Sequence, residues 1–369
     1  MRRILLIAVA WGATSVAGAS STVTLYGIVD TGLGYNKIKG DVGVASLDAS
    51  RIGMVNSVQN GSRWGLRGTE DLGSGLSAVF QLESGFSSAN GTSSQGSRLF
   101  GRAATVGLRS TVLGTLEFGR QSNIASKYFA TIDPFGLGFP PANIGTGFSA
   151  ANTPRYDNFI VYRTPTFNGF EASVGYSFAP NSTDTAQTGF RTADNTRAIS
   201  SGVRYADGPL NISLTYDQLN ASNRLSQAQV RATPRQIILG GYYMFGDVKL
   251  SAAVSQTKDG WFVGQEGSGS PTIFGSYRFV DGFKAESYLL GLTVPVGASS
   301  SLFGSWQNVN PSNGRLTGGS ETMNVFSVGA TYDLSKRTNF YAYGSYGKDY
   351  GFIDGLKSTT AAVGIRHRF

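Results

Sequence analysis

Residues 77–83 read SAVFQLE, and in an extended chain Ser77, Gln81 and Glu83 fall on one face while Ala78, Phe80 and Leu82 fall on the other. A strand so divided has one greasy side and one wet side. The same texture runs from Thr22 to Phe369 in blocks of about ten residues, punctuated by Gly, Asn, Asp, Pro and Ser. Sixteen blocks are expected: 22–36, 51–69, 74–86, 98–110, 115–121, 158–164, 170–178, 197–206, 210–219, 235–245, 248–257, 284–295, 300–309, 322–333, 338–348 and 359–369.

The connections alternate in length. Short turns such as 206–209, 245–247 and 334–337 are followed by longer polar stretches, including 179–196, 258–283 and 349–358. A soluble sandwich has no reason to keep that rhythm, whereas a membrane barrel has short periplasmic turns and long extracellular loops. Ten residues at about 3.3 Å each, tilted by roughly 40°, also cover an apolar band about 25 Å tall. Backbone polar groups exposed to lipid are prohibitive, so the strands must close on themselves. Tyr288, Trp306, Phe326, Tyr332, Phe340 and Tyr346 suit the interfacial girdles.

Composition agrees. Of 369 residues only 15% are charged, 50 are glycine and none is cysteine, and beyond the extreme N-terminus no apolar run reaches the roughly 18 residues of a spanning helix. Without disulfides or thiolate metal sites, an exported chain must be held by its ladder of backbone hydrogen bonds. Arg2 and Arg3, the apolar run 4–11 and Ala17-Gly18-Ala19 form the three parts of a secretory signal, so residues 1–19 are expected to be removed and 20–369 to form the barrel. Losing Arg2 and Arg3 lowers the formal charge from +8 to +6. The remaining arginines are spread thinly, without the clustered stripe of a nucleic-acid binder.

Several stretches together resemble the general diffusion porins of β-proteobacteria: VTLYGIVDTGLGY (23–35), SRWGLRGTEDLGSGLSAVFQLE (62–83), GTLEFGRQ (114–121), FIVYRTPTFNGFEASVGYSF (159–178), LSKRTNFYAYGSY (334–346) and VGIRHRF (363–369). The resemblance implies an all-β fold, a 16-stranded antiparallel transmembrane barrel whose third loop folds inward. It implies a homotrimer in the outer membrane, in contact with lipid and lipopolysaccharide, passing small anions and other hydrophilic solutes. The early strands look less lipophilic outside, which suits a subunit interface. A chain ending on Phe369 in an alternating strand resembles the signal read by barrel assembly machinery.

In such porins the third loop narrows the lumen. Here that loop is 122–157, rich in apolar residues including Phe129, Ile132, Phe135, Phe139 and Ile144. A solvated loop gains nothing from them, though a surface patch for a partner would also use them. The resemblance places an inward arginine cluster at Arg63, Arg102 and Arg155, with Glu83 steadying it. Asp133 is the expected carboxylate on the loop side, setting a field across the pore. Each arginine alone could merely be a solvating charge, but a ring of them lowers the barrier to a partly dehydrated anion. Arg67 beside Glu70 and Asp71 suits a structural pair near the rim, and Arg120 a rim charge.

No cofactor or metal is expected, and no Walker loop, dinucleotide fingerprint or metal-ligand spacing is present. An outer-membrane barrel enzyme would need a nucleophile and base, and the single histidine, His367, lies on the face assigned to lipid. A substrate-specific channel remains an alternative because of the aromatic third loop, and an adhesin is the third reading.

Overall fold

The first strand is also the neighbour of the last. In the computed structural model, β1 (Ser21–Val42) pairs antiparallel with β17 (Lys357–Arg368), from Ile28 opposite Arg368 to Lys39 opposite Lys357, so the sheet has no free edge. The structure describes residues 21–43, 45–181, 192–224, 230–265 and 271–369. The expected signal segment 1–19 lies outside them.

Between these two run β2 (Ala45–Asn56), β3 (Arg63–Gly73), β4 (Leu76–Gly85), β5 (Ala103–Ser110), β6 (Gly114–Ser122), β7 (Arg155–Arg163), β8 (Phe170–Ser177), β9 (Arg197–Asp207), β10 (Leu210–Asn220), β11 (Arg235–Phe245), β12 (Val248–Val263), β13 (Ser276–Val296), β14 (Ser300–Pro311), β15 (Met323–Asp333) and β16 (Thr338–Lys348). From β3 onward each pairs with the next in sequence, and β2 pairs with β1. Because β2 and β3 both pair with β1, over Thr31–Val42 and Ser21–Ile28 respectively, they are two halves of one stave. The barrel therefore has sixteen strands, all antiparallel, with both described ends at the short-turn rim.

Three expectations on boundaries need correcting. Residues 51–69 are not one continuous strand: Ser57 takes a left-handed backbone (φ 60°) and 57–62 leave the ladder. Residues 258–283 are not simply loop, because β12 and β13 run on to Val263 and back from Ser276 as a hairpin. Trp261 stacks on Phe274 at 5.2 Å and packs with Phe283 and Phe352, so buried rings hold that hairpin up. Likewise β1 and β2 continue to a tight turn near Gly43 instead of ending at 36 and resuming at 51. At 22 and 21 residues, β1 and β13 exceed the roughly ten that an outer membrane requires.

The alternation sorts side chains as the sequence implied. On β17, Ala361, Val363, Ile365 and His367 are exposed while Ser358, Thr360, Ala362 and Arg366 are buried. Tyr288, Phe326, Tyr332, Phe340 and Tyr346 all lie exposed on the outer face, where an interfacial ring belongs. The core sits inside the cylinder, where residues of the 123–154 loop pack against the wall.

Candidate functional site

The loop between β6 and β7 folds into the barrel and packs against its inner wall. Asn123 caps a short helix, α1 (Ile124–Phe129), with its side chain accepting from Ser126 N, and two single turns follow at Ile144–Thr146 and Ser149–Ala151. Phe129, Ile132, Ile144 and Phe148 are completely buried, and Phe135 and Phe139 are 3% exposed. The aromatics that suggested a packed loop are therefore packing residues, and they do not line the path of a solute.

One side of the barrel is built to receive them. The inner faces of β10 to β16 carry mostly small or neutral residues, which bond the loop's backbone. Gln307 Nε2 donates to the Ala142 and Asn143 carbonyls at 3.0 and 2.9 Å, and its Oε1 accepts from Gly147 N at 3.0 Å. Gln236 Oε1 accepts from Ala150 N at 2.7 Å, Ser287 Oγ donates to the Gly147 carbonyl at 2.7 Å, and Tyr343 Oη donates to that of Pro140 at 2.7 Å. These contacts satisfy a buried loop whose backbone would otherwise be orphaned.

The opposite wall, from β17 through β9, is basic. Arg63 begins β3, Arg102 immediately precedes β5 and Arg155 begins β7. Glu83, on the inner face of β4, lies 2.6 Å from Arg102 Nε and 3.6 Å from Arg63 NH1 through the same oxygen. Its other oxygen accepts from Tyr26 Oη at 2.9 Å. Arg155 is within electrostatic reach of Arg102, Arg120, Glu83 and Arg63. Its only side-chain hydrogen bond among the described residues is a long one, 3.5 Å to the Thr153 carbonyl. The structure thus gathers Arg63, Arg102, Arg155 and Glu83 into one neighbourhood, in which Arg63 and Arg102 share the Glu83 carboxylate and Arg155 stands beside them without an acid of its own among the described residues. Gly61 lies against the cluster: a Cβ there would stand 2.7 Å from Arg102 NH1.

Asp133 is not part of it. Its side chain is turned into its own loop and 1% exposed, with Oδ1 accepting from Phe135 N at 3.1 Å and Oδ2 from Leu137 N at 2.8 Å. Lys127 and Asp133 are the only charged residues in 123–154, and the Lys127 ammonium bonds Gln121. The loop therefore offers the lumen no carboxylate, and a positive wall faces a neutral one.

Two further arginines have partners other than those expected. Arg120 is not an isolated rim charge: Asp157 Oδ1 lies 2.5 Å from Arg120 NH1 and 2.8 Å from Arg98 NH1, a second pairing of two arginines with one acid. Arg67 makes no ion pair with Glu70 or Asp71 among the described residues; its guanidinium lies 5.3 Å from the centroid of Tyr26. Nearer the short-turn rim Arg67, Arg109, Gln81 and Glu117 line a polar cavity of about 400 Å³, and Arg204 pairs with Glu171 at 3.3 Å. The sign available in sequence was parity: Arg67 and Arg109 stand opposite Gln81 and Ser77, on the wet side of β4.

The sequence pattern of Gram-negative porins matches residues 5–351. The chain belongs to the Gram-negative porin family. An outer membrane porin protein of Bordetella pertussis is 57% identical over the whole of both chains, and outer membrane porin protein 32 of Delftia acidovorans is 31% identical, again over both whole chains. Among solved structures, an anion-selective porin from Comamonas acidovorans superposes with a TM-score of 0.72 at 29% identity, over 95% of this porin and all of that chain. The sixteen-stranded barrel with an inward third loop is thus a porin barrel, and its place is the outer membrane.

Proposed function

We propose that this porin is a passive channel for small hydrophilic solutes that favours anions, with the preference set by Arg63, Arg102 and Arg155 and moderated by Glu83. The observation that carries the reading is the balance of charges gathered there: Arg63, Arg102 and Arg155 with Glu83, and beside them Arg98 and Arg120 with Asp157, so that five guanidiniums meet two carboxylates and the facing loop adds no acid. A guanidinium stays charged throughout the accessible pH range and offers fixed donors. Walls of low dielectric strengthen its field over the value in bulk water. A chloride or small carboxylate that loses part of its hydration shell there finds donors in return, whereas a cation meets repulsion and a Glu83 carboxylate already engaged by two arginines.

The anion selectivity named for the Comamonas relative supports this assignment. The burial of Phe129, Phe135 and Phe139 weighs against a solute-specific aromatic track. The rest of the proposal is organisational. Residues 1–19 act as a cleaved export signal, three copies associate through the early strands, and the long loops meet lipopolysaccharide. Phe369 presents the C-terminal strand to the assembly machinery, and the channel carries no catalysis.

The test is the reversal potential of the reconstituted porin in a potassium chloride gradient, repeated with Arg102→Glu. The wild type is expected to favour chloride and the variant to lose or invert that preference. A cation-selective wild type, or a variant with unchanged selectivity, overturns the assignment.

A further inference from the structure

We propose that Asp30 is a positioning residue of the constriction, which acts through the break between β2 and β3 to hold the tip of the inward loop at a fixed distance from the arginine wall.

Asp30 lies on the inner face of β1 and is completely buried. Its Oδ1 accepts from Val58 N at 3.1 Å and from Tyr341 Oη at 2.8 Å, and its Oδ2 accepts from Asn60 N at 2.7 Å. Its backbone is engaged as well: the carbonyl accepts from Ser57 N at 3.1 Å and from Ser62 Oγ at 3.1 Å, while its N–H donates to Ser62 Oγ at 3.0 Å. One residue thus fastens both ends and the middle of the six that leave the ladder. Three donors converge on two side-chain oxygens, an arrangement that a carboxylate alone satisfies. Asparagine of the same size would turn an NH2 group towards a backbone N–H.

The six residues then reach in two directions. Towards the loop, the Val58 carbonyl accepts from Phe139 N at 2.5 Å, and Phe139 wedges among Phe135, Phe303, Tyr341 and Tyr343. Towards the wall, Gly61 lies against the Arg102 guanidinium, and Asn60 Oδ1 accepts from Arg366 NH1 at 2.6 Å. The segment that Asp30 organises therefore touches the neutral side and the charged side of the aperture at once. A strand that ran straight through 57–62 would do neither, because its carbonyls would point along the barrel ladder.

The test is single-channel recording of Asp30→Asn in planar bilayers. A hydrogen bond to an ionised acceptor lost in this way raises the released population of the loop tip by about tenfold. The expected result is a barrel that assembles like the wild type but shows open-channel noise increased severalfold, with a reduced chloride preference. A cysteine pair at Val58 and Phe139, the sole thiols in a chain without cysteine, supplies the decisive arm. Oxidation of that pair in the Asp30→Asn background is expected to restore the quiet current, and reduction to abolish the rescue. Unchanged noise in Asp30→Asn, or an oxidised pair that fails to quieten it, overturns the proposal. Should Asp30→Asn not assemble, Tyr341→Phe withdraws one of the three donors and is expected to raise the noise in the same direction; a quiet Tyr341→Phe channel then overturns it. The selectivity readout rests on the arginine assignment and the noise does not, so the two readings can fail separately.

Discussion

Glu83 Oε1 stands 2.6 Å from Arg102 Nε, and both side chains are about nine-tenths withdrawn from solvent, at 10% and 12% exposure. This pair, with Arg63 a further 3.6 Å from the same oxygen, sets how much of the positive charge a passing ion feels.

Glu83→Gln removes that compensation. The reversal potential in a chloride gradient is expected to move further towards the chloride limit, because Arg63 and Arg102 are left without their shared acid. The same change is expected to destabilise the barrel by on the order of 3 kcal/mol, the low end for breaking a buried pair, since the guanidiniums keep a wet face. A potential identical to that of the wild type would remove Glu83 from the pore field.

Selectivity that comes from charge must yield to salt. The screening length falls from about 10 Å at 0.1 M to about 3 Å at 1 M. The chloride-to-potassium permeability ratio is expected to fall severalfold across that range and approach the ratio of free mobilities. A ratio indifferent to salt would point to discrimination by size.

Burial pushes the Asp133 carboxyl up to about 6 from its ordinary 3.8, and the N–H groups of Leu137 and Phe135 only partly offset the lost hydration. Between roughly pH 4 and 6 the folded loop therefore binds more protons than the unfolded chain, so stability falls as pH rises through that window. Thermal unfolding in detergent is expected to show a higher midpoint at pH 4.5 than at pH 7.5, with the difference reduced in Asp133→Asn. Anion preference is expected to survive Asp133→Asn, because the side chain faces its own loop. Loss of selectivity in that variant would return Asp133 to the pore.

Phe369 closes the barrel against Gly27. Their backbones exchange two hydrogen bonds of 3.1 Å, and a Cβ on Gly27 would lie 2.2 Å from the Phe369 ring. Gly27→Val is expected to cost about 1–3 kcal/mol through overpacking. Refolding into detergent, without any assembly factor, checks this: Gly27→Val lowers the folded fraction and Phe369→Ala in the same chain partly restores it. No restoration would place the strain elsewhere.

The wall of the barrel was legible because a two-residue period survives everything except a change of register, and SAVFQLE displays it with the wet residues where the lumen is. The break at 57–62 was not. Its serines, asparagine and glycine are acceptable on a wet strand face, and the cause, Asp30, lies far away in sequence. The true place of Asp133 is written locally. In Asp133-Pro134-Phe135-Gly136 an aspartate two residues before a free N–H signals a side chain that caps its own turn, and Phe135 N does bond it. The hairpin of β12 and β13 was hidden because its support comes from Phe352, a ring about ninety positions downstream of Trp261.

The division between a charged wall and a loop bedded in the neutral wall assigns calibre and polarity to separate parts of the polypeptide. Shortening 123–154 would widen the bore while the arginines stayed on their staves, and exchanging those arginines for neutral side chains of similar bulk would change which ions pass with little effect on the diameter. A porin assembled in this way can be retuned largely along one axis or the other, by selection or by a designer, the two meeting only where Arg155 and the 57–62 segment touch the loop.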